Sequence, residues 1–282
     1  MQQDIPVIPI DPDYERAAKI LREYKNRYEG QRCFIIGNGP SLKAADLDRI
    51  KENGDFSIAS NRIYLIFEET EWRPNVWTSS DAEGIRGSLS EMSAIPAELK
   101  IIPVEPGYKM YPMEGALPVR LDPGGGGNWI LQGTMPPFSD DLTRCVYAGK
   151  TITYSNIQIA VYLGFKQIIL LGMDHSYSVH AYLASHLRGY DWKRNERNYQ
   201  EGERIRLEPE TKTFEGVQDH FCANYWDGLN FEKGYWVQET VRAYQTAKKY
   251  AEEHDIRILN ATRGGKLNVF KRVNFEALFP RS

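Results

Sequence analysis

Cys33-Phe34-Ile35-Ile36-Gly37-Asn38-Gly39-Pro40-Ser41-Leu42 is the stretch on which the reading of this 282-residue chain turns. Cys33 to Ile36 run without a polar interruption, as in a strand buried on both faces of a parallel sheet. Gly37 and Gly39 allow a sharp turn and a close backbone approach to a ligand. Pro40 lacks an N–H and has its φ preset, which suits the first residue of a helix. The amides from Ser41 onward would then leave a helix N-terminus, where free N–H groups and the helix dipole favour an anion. Strand, glycine turn and helix start predict a phosphate site, and a nucleotide as its ligand.

Outward from this stretch, strands and helices alternate. Residues 13–28 place Tyr14, Ala17, Ala18, Leu21, Tyr24 and Tyr28 at helical spacing, which predicts an amphipathic helix laid against the sheet; a helix lying on a membrane surface is the minor alternative. After the strand at 33–36 come a helix at 43–52, a strand at 56–60, a helix at 62–69 and strands at 76–79 and 100–104. Residues 105–142, rich in Pro and Gly, read as loops. A helix follows, capped near Thr153 or Ser155, and runs to Gly164. It feeds the most hydrophobic strand, at 167–173. Residues 174–234 are polar and aromatic, and fit either a solvated insertion or a lid. A helix at 235–254, a strand at 256–261 and a short helix in Val-Asn-Phe-Glu-Ala-Leu-Phe end the chain. The alternation predicts an α/β, Rossmann-like, mostly parallel sheet with flanking helices. An N-terminal extension and helix (1–29) precedes a nucleotide-sugar-binding catalytic domain (30–282), with a lid insertion at about 175–234.

Bulk composition narrows the function. A net charge of −3 and a pI near 6.0 argue against nucleic-acid binding, which would show a basic excess. The three cysteines are widely spaced, as expected of a reducing cytosol rather than a disulfide framework. No basic and apolar leader is visible at the N-terminus, and no apolar run reaches the ~20 residues of a membrane span. The 17 Tyr and 6 Trp suit either sugar-binding clefts or large amphipathic core residues.

Ligands of open α/β sheets bind at the carboxyl ends of the strands. Gly37, Asn38, Gly39 and Ser41 stand at the first such end and Asn61 at the second. Ser79, Ser80 and Asp81 follow at the third, Asp174 and His175 at the central strand, and Asn260 and Thr262 at the last. Leu42 stands where a dinucleotide fingerprint needs its third glycine, and Asn61 where the ribose-binding acid would be, which argues against NAD and FAD. His175 is a candidate general base with Asp174 to orient it. Asp219-His220 repeats the Asp-His pair. The five histidines lack HxxxH spacing, against zinc; Mg²⁺ at Asp81 or Asp174 stays open. Thr262-Arg263-Gly264-Gly265-Lys266 is either a backbone nest for phosphate or an acidic sugar, or a solvated turn.

Four landmarks together resemble the MptE-like family, named for archaeal 6-hydroxymethylpterin diphosphokinases. They are GNGPSL, SNRIY, TYSNIQIAVYLGFKQIILLGMDHSY and NATRGGKLNVF, and the match extends over about residues 30–280. The same landmarks are similar to bacterial CMP-sialic acid sialyltransferases and to flagellin nonulosonate transferases. The resemblance implies a GT-A-type variant fold with a lid, and a CMP-sugar donor carrying a sialic-acid-like or Kdo-like acid. It implies a surface-polysaccharide or lipid-linked acceptor, as in lipopolysaccharide or capsule synthesis, and no required cofactor. A cytoplasmic enzyme is expected, with peripheral association at the inner face of the membrane and homo-oligomer formation left open. By position, Asn38 and Gly39 would meet the phosphate and Asn61 the ribose or sugar. Thr151, Thr153 and Ser155 would lie near the cytosine. The group holding the leaving phosphate would be among Ser176, Tyr177 and Tyr182. The family's lid histidine falls at Asn224, which leaves His220, of the His220-Phe221 pair, or His175 as the base. The archaeal members imply the alternative, a Mg²⁺-dependent 6-hydroxymethylpterin pyrophosphokinase using ATP.

Overall fold

The computed structural model describes residues 8–122, 124, 128–175, 220–222, 225 and 237–279. Tyr177 and most of the expected lid lie outside the described residues.

Strand β1 (Arg32–Ile36) has its last four residues fully buried. Cys33 and Ile35 enter one core and Phe34 and Ile36 the other, because successive side chains alternate across a strand. β2 (Phe56–Ser60), β3 (Val76–Thr78), β4 (Leu99–Val104), β5 (Ala116–Asp122) and β6 (Val146–Tyr147) step away from β1 on one side. β7 (Gln167–Leu171), β8 (Arg257–Asn260) and β9 (Lys271–Arg272) continue on the other. The order is β6-β5-β4-β3-β2-β1-β7-β8-β9, with every neighbouring pair parallel. Strand order therefore reverses between β1 and β7, and the ends of these two strands flank the switch-point crevice.

Helix α1 (Tyr14–Arg22) starts at Asp13, whose carboxylate accepts from the Arg16 amide at 2.9 Å. Its buried Ala17 and Leu21 belong to the same core as β1, β2 and β7. Tyr162 donates to the Leu21 carbonyl at 2.9 Å, and Arg16 to the Ala116 carbonyl at 2.8 Å. The apolar face of α1 is thus covered by the sheet and its neighbouring helix, and α1 shares the main core with Tyr24 and Tyr28 after it.

Five sequence-based expectations are corrected. Helix α2 (Ala44–Glu52) begins four residues beyond Pro40, which instead lies in a turn closed by the Leu42 amide on the Gly39 carbonyl, 3.1 Å. Residues 62–69 form only a short 3-10 helix at Ile63–Ile66. The expected loop at 105–142 contains β5 and the short helix α5 (Asn128–Leu131); helices α3 (Ala82–Gly87) and α4 (Leu89–Ser93) lie ahead of it. β5 includes Pro118, and over 116–120 it pairs only with β4, so the missing N–H falls where no second neighbour needs it. Helix α6 (Ile152–Tyr162) is capped by Thr151, which accepts from the Thr153 amide at 3.3 Å, two residues ahead of the nearer expected cap. Helix α7 (Val237–Glu253) is followed by β8; the C-terminal segment then supplies β9 and a 3-10 turn at Glu276–Leu278 in place of a helix.

Candidate functional site: the switch-point crevice

The turns after β1 and β7 interlock through their backbones. The Gly37 amide donates to the Leu171 carbonyl at 2.7 Å, and the Gly39 amide to the Gly172 carbonyl at 2.9 Å. A Cβ on Gly37 would stand 2.5 Å from the Gly172 oxygen; one on Gly39 would stand 2.6 Å from it and press into the Asp174 carboxylate. Neither glycine has a positive φ, whereas Gly172 does, at 70°. The glycines are therefore required by the neighbouring turn, and the ligand approach predicted from sequence is not their first cause.

The anion slot at Ser41 is occupied by the chain itself. Asp174 Oδ2 accepts from Ser41 Oγ at 2.8 Å and from the Ser41 amide at 3.3 Å. Because α2 begins beyond this turn, the Ser41 amide is not a helix-end donor, and the expected cradle is filled by a carboxylate. Burial raises the Asp174 pKa, while Ser41 and the Arg272 charge oppose the rise.

Asn38 is the hub of the β1 end. Its Nδ2 donates to the Ser60 carbonyl at 3.0 Å and to the Tyr225 hydroxyl at 2.8 Å, and its own carbonyl accepts from the Phe221 amide at 3.0 Å. Asn38 Oδ1 is buried with no partner among the described residues, and so is Asn156 Nδ2 on α6. Asn156 Oδ1 accepts from the Thr78 hydroxyl at 2.7 Å, which ties α6 to the end of β3. A buried orphan amide costs about 1–3 kcal/mol, so both atoms invite a ligand partner.

Asn61 adopts φ 54° at the end of β2. Its Oδ1 accepts from the Ser79 hydroxyl at 2.9 Å and its carbonyl from the Trp77 indole at 2.9 Å. Asp81 stands at the N-cap of α3. Asp81 and Asp174 follow strands that lie three spacings, about 14 Å, apart in the sheet.

The β8 end buttresses the crevice. Thr262 accepts from the Met173 amide at 3.0 Å, Asn260 bonds the Leu267 carbonyl at 2.9 Å and the Thr262 amide at 3.0 Å, and the Lys266 amide donates to the Asp174 carbonyl at 2.7 Å. Arg272 donates to the carbonyls of Thr262, Gly264 and Leu267, and Arg263 pairs with Asp46 and Glu276. The Asn260 side chain thus holds the loop, Thr262 holds the β7 turn, and the Arg263 charge is paired with Asp46 and Glu276.

His175 sits at φ 49°, a left-handed conformation in which a non-glycine residue is held by its surroundings. Its ring lies 6.2 Å from the Tyr244 ring, inclined at 69°, and burial lowers its pKa. Burial raises the Tyr244 pKa, with Thr151 and Thr153 opposing the rise, and the Thr153 hydroxyl contacts Met173 Sδ at 3.4 Å. Thr153 and Ser155 are buried. His220 stacks on Tyr225 at 3.8 Å and 13°, and burial pulls its pKa down to about 3. The carbonyl of Tyr225 accepts from Arg62, whose Nε donates to the Tyr64 hydroxyl at 3.1 Å.

Sequence reasoning passed over Arg62, Lys150, Asn156, Tyr225 and Tyr244. Lys150 had a visible signal, a Gly-Lys-Thr run opening α6. Burial lowers its pKa, and the charges of Glu105 and Glu239 oppose this. Among the described residues no group of three His, Cys, Asp or Glu could hold a metal, and no helix is long and apolar enough to cross a membrane.

Fold and site define an α/β protein whose polar crevice lies at the switch point of a nine-stranded parallel sheet. No family model matches the chain, and no curated protein does. Among solved structures it is similar to a MAf glycosyltransferase from Magnetospirillum magneticum AMB-1, at 13% identity and a TM-score of 0.49. That alignment covers 98% of this chain and 40% of the other, so this chain spans less than half of its neighbour's length.

Proposed function

We propose that this protein transfers a sugar, a sialic-acid-like or Kdo-like acid, from a CMP-activated donor to a surface-polysaccharide or lipid-linked acceptor. The observation that carries the reading is a convergence. The Gly37–Ser41 turn, the Gly172–His175 turn and the N-terminus of α6 meet beside the switch point, the place where α/β sheets bind nucleotides. Two of the sequence landmarks that resemble CMP-sugar transferases, GNGPSL and the described part of the central block up to His175, contribute to these three elements.

Departure of CMP from such a donor leaves an oxocarbenium-like centre and a phosphate with added negative charge. The protein must stabilise that charge and position the acceptor hydroxyl. In this reading the nucleoside meets the Asn38 and Asn156 amides. The phosphate meets Lys150 at the positive end of the α6 dipole, since the Ser41 donors are engaged by Asp174. Asp174 positions the β1 turn. His175, kept neutral by burial, takes the acceptor proton. His220 at about 3 is too weakly basic for that task and buttresses Asn38 through Tyr225. A pyrophosphokinase using ATP is the less favoured reading, because Asp174 is engaged by Ser41 and among the described residues no group of three His, Cys, Asp or Glu could hold a metal.

Replacing His175 with Ala should lower transfer by about 10²- to 10⁴-fold while CMP affinity persists. His220→Ala should leave turnover nearer the parent. The reverse ranking would move the base to His220, and unchanged turnover in both variants would remove histidine base catalysis from the account.

A further inference from the structure

A second cavity, of about 240 Å³, opens at the same edge of the sheet, beyond the ends of β3, β4 and β5. Ile85, Ile102, Val104, Met110 and Met113 make most of its apolar wall; Ser80, Glu105, Lys109, Tyr108 and Tyr111 bring polar groups to it. The loop that closes it is tied to the N-terminal segment by a two-way backbone bridge, Ile10 amide to Met110 carbonyl at 2.8 Å and the reverse at 2.9 Å. Ile8, Ile10 and Tyr108 stand on these two strips at 76%, 47% and 67% exposure, and Tyr108 also lines the cavity. They are three of the four large apolar side chains that the described residues leave exposed.

The wall selects against a bare sugar. A saccharide ring carries several hydroxyls, and each one buried without a partner costs about 1–3 kcal/mol. The polar groups of Ser80, Glu105, Lys109 and the two tyrosines, Tyr108 and Tyr111, are set in a mostly apolar lining, whereas a hydrocarbon chain gains from every methylene it buries. The exposed rim lets a chain longer than the cavity continue over Tyr108 and Ile10. Ser80, on the wall, directly follows Ser79, which is hydrogen-bonded to Asn61 in the crevice. Cavity and crevice therefore share the carboxyl edge of the sheet, with β1 two to three strand spacings from β3 and β4, about 10–14 Å.

We infer that this cavity binds an apolar chain, alkyl or prenyl, and that it anchors the acceptor of the transfer reaction. The first half stands on the cavity alone; the second rests on the glycosyl-transfer reading.

The test is calorimetry of the full chain with alkyl β-glucosides from methyl upward, each below its micelle concentration. Affinity should rise by about fourfold per methylene until the cavity fills, and Ala82→Phe, at an exposed position of the wall, should flatten that rise. Met110→Asp, with its fold checked by circular dichroism, should do the same by placing a charge inside. Equal affinity for methyl and octyl glucoside, or a rise unaltered in both variants, overturns the cavity assignment and leaves the transfer reading intact. A rise in a protein that does not bind CMP supports the cavity and overturns its role as acceptor anchor. Decyl and geranyl glucosides, equal in carbon count, separate a straight chain from a prenyl one; preference for either supports the inference.

Discussion

A methyl group at residue 39 would stand 2.6 Å from the Gly172 carbonyl oxygen, in a place where two backbones and a buried carboxylate already meet. Overpacking of this kind costs about 1–3 kcal/mol, so Gly39→Ala should lower the urea midpoint by a matching amount. An unchanged midpoint would mean that the β1 and β7 turns separate easily. The identity of this glycine was legible in the sequence, but its cause was not. Glycine before a helix suggests ligand approach, and only the pairing of β1 with β7 shows that Gly172 and Asp174 need the space. Asp174 was likewise legible as a strand-end carboxylate, whereas its bond to Ser41, 133 residues away, depends on tertiary packing.

The β6–α6 connection concentrates what the crevice offers to a phosphate. Thr151 caps the helix, Lys150 precedes it at φ 59°, and the positive end of the helix dipole lies at this terminus. Charge-assisted hydrogen bonds contribute about 1.5–3 kcal/mol. Lys150→Ala should therefore weaken CMP about 10- to 150-fold and leave cytidine nearly unaffected, as read by calorimetry. Equal losses for both ligands would place the phosphate elsewhere. Strands with unbroken apolar runs, β1, β2 and β7, were readable from periodicity. β5 was not, because Pro118 and the flanking glycines carry the signature of a loop, and only its position beside β4 makes the proline tolerable. β6 and β9, two residues each, are shorter than any periodic signal.

For the molecule as a whole, burial of two histidines sets a pH dependence. Burial pulls the pKa of His220 from 6.5 to about 3 and lowers that of His175. Below 6.5 the unfolded chain binds protons that the folded chain does not. Their contribution is thus fully present above about 6.5 and is lost as the pH falls toward 3. The melting temperature should drop across that window, and His220→Gln should make the drop shallower; an identical slope would show that His220 is protonated without unfolding. The mostly parallel α/β plan was legible because strand-end polarity and the strand–helix alternation agree at every placed strand, whereas the strand order and its switch point depend on pairings that only the folded sheet shows. The edge cavity was not, since its walls come from β3, β4, β5, α3 and the loop after β4, brought together only by the folded sheet. The most direct test of the central claim is the thermal shift of the full chain with CMP, and with ATP plus Mg²⁺, measured side by side. Saturating CMP without metal should raise the melting temperature by several degrees, as expected for about 2.7 kcal/mol at a hundredfold excess over Kd. A shift given only by ATP with Mg²⁺, and none by CMP, would contradict it.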